Sequence, residues 1–375
     1  VDLALQGGGS LSTRAKVDLA NKEFINSVEA EGQVKDLPLA LARSYLPKEM
    51  DIDGFISGQY QVTQGGNGPV GQVDLLAKDG FFSYEKTPGK PERYRYRLAK
   101  LQGSIKGDQA LADVALELTD GGVLTSKASA VVSSFDKKPI FKAQGTLEAL
   151  PLELAQAYLP KELEVSGRAS GRYQFEQNGQ LQGKAELSIP NSFIRYNDGR
   201  SEAQSYRFSR ADIVADIKGD KIETDLNFVL RDGGAFTTQG RLDLTQADNL
   251  YGFEGEGSLK AFPLALAQPY IPVKLVLDGV VDGRFQLTQR GGQQGSVQLQ
   301  FPSAGLTFID EKGMSQRFGY KLGEVNAVIK GKQITGDALV VMKDGGTVNT
   351  KGNITLGKSA KSHRINIQGD LQAIP

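Results

Sequence analysis

Apolar and polar residues alternate with a period of two along most of this chain. Tyr173 and Phe175 alternate with Arg172, Gln174 and Glu176; Ala185, Leu187 and Ile189 alternate with Lys184, Glu186 and Ser188. The pattern continues through Ile213, Ala215 and Ile217, then Leu226, Phe228 and Leu230, then Leu242 and Leu244, and closes with Phe253 and Leu259. A period of two puts successive side chains on opposite faces, so each stretch predicts a strand with one apolar and one polar face. Asn178-Gly179, Asp198-Gly199 and Asp232-Gly233-Gly234 separate the stretches, and such residues suit tight turns. Short turns between successive strands predict an antiparallel meander.

The alternation recurs as a unit of about 112 residues. Pro38, Pro151, Pro263 and Pro375 are separated by 113, 112 and 112 residues, and Asp120-Gly121-Gly122, Asp232-Gly233-Gly234 and Asp344-Gly345-Gly346 by 112 and 112. The chain therefore divides into the end of a preceding repeat (1–37) and repeats at 38–150, 151–262 and 263–375. Because it stops where a further repeat would open, the sequence reads as a piece of a longer protein. Tyr60 and Val62 match Tyr173 and Phe175, and Phe285 and Leu287; Val114, Leu116 and Leu118 match Leu226, Phe228 and Leu230, and Ala338, Val340 and Met342. Asp113, Asp225 or Asp337 precedes each of these last sets, so the register is fixed throughout.

Each repeat opens on a segment of another kind: PLALARSYLP (38–47), PLELAQAYLP (151–160) and PLALAQPYIP (263–272). Proline is favoured at a helix start, and the residue before a proline disfavours helix, so each predicts a short helix closed by its second proline. Leu154 and Tyr158 would share a face, and Pro269 should shorten or kink the third copy. One helix about 15 Å long cannot cover about six strands of roughly ten residues each. The sheet must then curl on itself, with Gly54, Gly58, Gly167, Gly171, Gly279 and Gly283 as candidate bends or bulges. Complete curling would give a dry core, whereas partial curling would leave a long apolar channel. Ala, Val, Leu and Ile dominate the inward positions and the chain has no tryptophan, which favours the channel.

The expected lining comes from all three repeats. The first contributes Tyr60, Val62, Val73, Leu75, Leu101, Ile105, Val114, Leu116 and Leu118. From the second come Tyr173, Phe175, Leu187, Ile189, Ile213, Ile217, Leu226, Phe228, Leu230, Leu242 and Leu244. Phe285, Leu287, Val297, Leu299, Phe301, Val325, Ile329, Val340 and Met342 belong to the third. Such a lining acts as a solvent for acyl chains, worth about 0.8 kcal/mol per buried CH₂. The fold class expected is thus mainly β: an elongated, repetitive antiparallel sheet curled into a taco-like groove, with one short helix per repeat.

Composition adds exclusions. The 44 basic and 44 acidic residues cancel, leaving no electrostatic footprint for nucleic acid. With no cysteine, disulfides and Cys-based metal sites are ruled out.

The Leu-Pro-x-Leu segment, the x-x-Gly-x-x-x-Gly alternation that follows it and the Asp-Gly-Gly turn together resemble the repeat region of the TamB family, within the AsmA-like group of bridge-like lipid transfer proteins. LPKELEVSGRASGRYQFEQNGQLQGKAELSIP and IPVKLVLDGVVDGRFQLTQRGGQQGSVQLQFP carry the likeness most clearly. The resemblance implies a non-enzymatic periplasmic bridge without cofactors, moving phospholipid between inner and outer membranes. It further implies an inner-membrane anchor, membrane contacts outside this segment and an outer-membrane barrel partner. Another function in keeping with it is a scaffold or chaperone whose open sheet edge pairs with client strands during outer-membrane protein assembly.

Rival chemistry is weak. GNITLGKS (352–359) matches the phosphate-loop pattern, but Asn353 to Leu356 align with a strand one repeat earlier and no helical pattern follows. His363 is the only histidine, which argues against a His-based metal site or triad. Asp216 with Asp220, and Asp310 with Glu311, read as solvated hairpin charges. Arg93-Tyr94-Arg95-Tyr96-Arg97 interleaves base and aromatic as single-strand binders do, but reads as a strand with its charges in water.

Overall fold

The computed structural model describes all residues except 6–7, 22–23, 47–49, 66–67, 88–89, 135–138, 160–162, 198–203, 246–251, 265, 267–274, 290–291, 303, 310–313, 344, 357–363 and 374–375. Alternation becomes strand almost everywhere, in an antiparallel sheet of 23 strands. Asp2–Ala4, Ser10–Asn21 and Phe24–Pro38 precede the first repeat. That repeat then supplies six strands: Met50–Gly65, Gly68–Thr87, Lys90–Lys106, Gln109–Leu118, Val123–Val131 and Ile140–Pro151. The second opens on Leu163–Ser166 and Arg168–Asn178, one strand broken at Gly167, and continues through Gln180–Tyr196, Gln204–Lys218, Lys221–Leu230, Ala235–Asp243 and Gly252–Pro263. Leu275–Thr288, Gln294–Phe301, Ala304–Ile309, Ser315–Lys330, Gln333–Met342, Thr347–Thr355 and Arg364–Gln372 make up the third.

The expected strand length of about ten residues holds only for later strands of each repeat. The first three of repeat one have 16, 20 and 17 residues. They run on because bulges let the backbone turn a corner without ending the ladder. At Asp79 (φ 51°) and Asn191 (φ 47°), 112 positions apart, the chain enters the left-handed region inside a strand. Gly54 (φ 127°) sits at the register shift between Asp53 and Phe55, which makes the predicted bend a bulge.

A second corner recurs just before each Leu-Pro or Phe-Pro pair. Asp36, Ala149 and Ala261 have φ of 48°, 47° and 46°, and each lies at a register shift. Their backbone N–H groups leave the ladder and are captured from the neighbouring strand. Asp36 donates to Ser57 Oγ (2.9 Å), Ala149 to Ser170 Oγ (2.9 Å) and Ala261 to Asp282 Oδ1 (2.7 Å). Each corner is therefore strained in its backbone but satisfied in its hydrogen bonds.

The segments after these corners are 3₁₀ turns, Leu39–Tyr45 and Leu152–Tyr158, shorter than the helices expected. Pro38 and Pro151 do not occupy the first helical position; they are extended (ψ 124° and 130°) and end the preceding strands. That leaves seven residues before the next Leu-Pro, too few for a stable α-helix. Leu46 and Leu159 close the turns by donating to Arg43 O (3.2 Å) and Gln156 O (3.3 Å). Pro269 and the Tyr158 side chain lie outside the described residues. No helix among the described residues is long and apolar enough to cross a membrane.

The described residues gather into two compact units, Val1–Leu159 with Arg168–Leu187, and Pro160–Gly167 with Ser188–Pro375. In the first, Ala77, Tyr96, Leu118 and Leu150 form a buried cluster, on which Leu39 and Leu154 of the two 3₁₀ turns pack. Leu264, Val281 and Ala304 do the same in the second, supported by Phe262, Phe301 and Tyr320. The Asp-Gly-Gly turns hold these ends shut: Leu118 donates to Gly122 O (2.7 Å), Leu230 to Gly234 O (2.9 Å) and Met342 to Gly346 O (2.8 Å).

Replacing Ala149 by glycine should relieve left-handed strain and raise urea-unfolding stability by up to about 1 kcal/mol. Ser170→Ala, which orphans the Ala149 N–H, should lower it by about 1 kcal/mol in the same measurement.

Candidate functional site: the apolar face of the sheet

Strand register decides which side chains share a face. In the first unit one row runs Gly58, Leu75, Leu101, Val114, Ser126, Gly145 and Tyr173, each residue opposite the next. Two positions along the strands, a parallel row runs Tyr60, Val73, Gly103, Ala112, Ala128, Ala143 and Phe175. On the helix side, Ile56, Ala77, Ala99, Leu116, Leu124, Leu147 and Gly171 form a third. Val62 and Ile105 lie in a fourth, opposite Gly71, and Leu118 pairs with Tyr96 at the buried end.

Rows of the same kind cross the second unit. Ile213, Leu226, Thr238, Gly257, Phe285, Val297, Ala327 and Gly336 make one. Ala211, Phe228, Phe236, Leu259, Gly283, Leu299, Val325 and Ala338 make the next. Ile217 and Leu242 both oppose Ile222, Leu287 and Ile329 both oppose Gly295, and Phe301 and Val340 both oppose Gly323. Leu230 faces Phe208 and Met342 faces Tyr320. Leu187 and Ile189 extend the same alternation along Gln180–Tyr196, with Gly171 against the Leu187 backbone. Leu244 lies just beyond Ala235–Asp243 and is exposed. Within each unit, then, the predicted residues in the strand ladders stand on one face.

That face is the more protected one but is not sealed. In Ile140–Pro151 burial alternates residue by residue, Phe141, Ala143, Gly145 and Leu147 being shielded and Lys142, Gln144 and Thr146 exposed. Away from the 3₁₀ end Val62, Leu101 and Val114 still expose 37%, 36% and 37% of their surface. A dry core would bury them as Leu118 is buried, at 4%. The apolar rows are closed off at the 3₁₀ end and open beyond it.

Aromatic rings flatten the floor at one repeating position. A Cβ on Gly32 would meet the Tyr60 hydroxyl at 2.7 Å, one on Gly145 the Tyr173 hydroxyl at 2.7 Å, and one on Gly257 the Phe285 ring at 2.5 Å. Each ring thus lies across a glycine of the preceding strand, and Tyr60 reaches over to bond the Thr13 hydroxyl (2.7 Å). In the second unit Phe208, Phe228, Phe236 and Phe285 continue as a row with centroids 5.1, 6.2 and 5.6 Å apart.

No known protein family, curated protein or solved structure matches this chain. Its sites must be read from its own geometry.

The opposite face carries what sequence reasoning missed. In the first unit a trough of about 1380 Å³ runs between two rows of polar side chains. One wall is Gln33, Gln59, Asp74, Gln102, Asp113, Lys127, Gln144 and Gln174, and the other Glu31, Gln61, Gln72, Ser104, Leu111, Ser129, Lys142 and Glu176. The Tyr60-to-Phe175 row supplies only the floor between them. A parallel trough of about 660 Å³ shares the Gln102-to-Gln174 wall. There Arg172 and Lys184 donate to Glu186 (2.7 and 2.8 Å) and, Lys184 first, hold its carboxyl below the usual range. The sequence signal is the glutamines at alternate strand positions, which the register brings together from strands far apart in the chain.

The rival motifs find ordinary places. Gly352 to Thr355 are in strand Thr347–Thr355; 357–359, His363, Asp198-Gly199, Asp310 and Glu311 lie outside the described residues. Arg97 pairs with Glu117, and Arg93 sits 4.0 Å from the Phe81 ring centroid on the polar face, while Tyr94 stacks on Phe82 and Tyr96 is buried. Among the described residues no group of three or more His, Cys, Asp or Glu could hold a metal.

Among the described residues of the first unit, Tyr96 is an interior phenol whose burial has a pH consequence. It donates to Asp53 O (3.0 Å), over Gly54 and Gly80, whose missing side chains make its space. Burial, then the Asp53 charge, raises its pKa above the ordinary value. A phenol raised in the folded state contributes stability fully present below the unfolded pKa and lost as pH rises through the folded one. Urea stability should therefore fall above about pH 10. Tyr96→Phe should flatten that limb while costing about 1 kcal/mol at neutral pH.

Proposed function

We propose that the chain binds phospholipid by its acyl chains along the apolar face and passes them from strand to strand without any covalent step. One observation carries the reading: apolar rows that run in register from strand to strand within each unit yet stay open to solvent. A closed core needs no such openness, and a solvated surface does not keep leucine, valine and phenylalanine on one face. An acyl chain laid along a row would exchange water for continuous apolar contact, about 0.8 kcal/mol per CH₂. Among the described residues no group of three or more His, Cys, Asp or Glu could hold a metal. The resemblance to the TamB repeat region points the same way, toward a periplasmic bridge between two membranes.

Delipidated protein should take up a fluorescent phospholipid to saturation, and mass spectrometry of the protein extracted from cells should find phospholipid bound. Leu101→Asp and Phe228→Glu place a charge within a row, and each should weaken uptake at least tenfold with circular dichroism unchanged. Failure of the wild-type protein to bind lipid in either assay contradicts the proposal, as does unaltered uptake by folded variants.

A further inference from the structure

The polar trough of the first unit has features that a solvated surface does not require. Its charges are spent on one another: Arg14 with Glu31 (3.4 Å), Lys127 with Asp113 (3.7 Å) and Lys142 with Glu176 (3.1 Å). Asp74 accepts from Gln102 (3.0 Å), and Asp2 from Ser12 (2.6 Å). What stays available is neutral: the amides of Gln59, Gln61, Gln72, Gln144 and Gln174, exposed and without a side-chain partner among the described residues. Each amide offers both donors and an acceptor. Gln61 opposes Gln72 on one wall and Gln144 opposes Gln174 on the other, each pair at the strand spacing of about 4.8 Å, with Gln59 toward the far end of the second wall, in a trough that crosses ten strands and so extends roughly 40 Å.

A ligand for this trough must be extended, uncharged and lined on both edges with groups that donate and accept. An anionic polymer would need an excess of free Lys and Arg, and here they are paired. An extended peptide would pair with a sheet edge rather than lie across strands on a face. A β-linked sugar chain meets all three conditions: it presents hydroxyls along both edges, carries no charge, and advances by about one strand spacing per residue. We propose that this trough is a binding surface for an uncharged, extended glycan chain lying across the strands. The surface is separate from the apolar face and does not depend on the function proposed for it.

Cellohexaose and the hexamer of N-acetylglucosamine would be titrated into the whole chain by calorimetry and by saturation-transfer NMR. At least one should bind saturably, more tightly than its trimer and with little response to added salt. The triple variant Gln59→Ala, Gln144→Ala and Gln174→Ala changes only exposed side chains, and should weaken binding at least tenfold while leaving lipid uptake intact. Leu101→Asp should leave glycan binding unchanged, so either reading can fail alone. The proposal is overturned if neither hexamer binds saturably, if the triple variant binds as well as wild type, or if only charged polymers bind.

Discussion

Everything in this structure follows from an apolar face with too little to cover it. A strand that alternates Leu, Val and Phe with Gln, Lys and Asp must turn one side away from water. In most sheet proteins a second sheet or a layer of helices takes that side. Here the first two repeats each offer a seven-residue 3₁₀ turn, which seals one end through Leu39 or Leu154, and in the third Leu264 is buried among the described residues. The remainder is shielded in part by its own neighbours, and Leu101 and Val114 stay over one-third exposed.

That constraint explains why the corners repeat so strictly. A one-residue slip would turn every apolar row outward, so each bulge must keep its register shift. The left-handed residues at 36, 149 and 261 keep it, each with its N–H captured by Ser57, Ser170 or Asp282. The aromatic rings laid over Gly32, Gly145 and Gly257 belong to the same plan, since each fills the space of a missing side chain on the preceding strand. Corner and ring recur at the repeat distance because each repeat meets the same need.

Strands, turns and the shared face were legible in the sequence because alternation is a direct record of the pleat. Tyr60, Leu101, Val114, Leu226, Phe285 and Leu299 stand where a period of two puts them. The helix was misjudged because proline's fixed φ suits an extended strand end as well as a helix start, and only ψ separates them. Strand length was underestimated because a bulge residue such as Asp79 looks like a turn locally while the ladder continues. The glutamine walls went unnoticed because their meaning depends on cross-strand register, which joins residues as far apart as Gln59 and Gln174.

The account turns on one face being the working surface. A photo-crosslinking amino acid placed in turn at positions 99 to 103, across Lys90–Lys106, would test this most directly in protein loaded with radiolabelled phospholipid. The account predicts adducts with a period of two, strong at 99, 101 and 103 and absent at 100 and 102. Equal labelling at all five positions, or labelling only at 100 and 102, would contradict it.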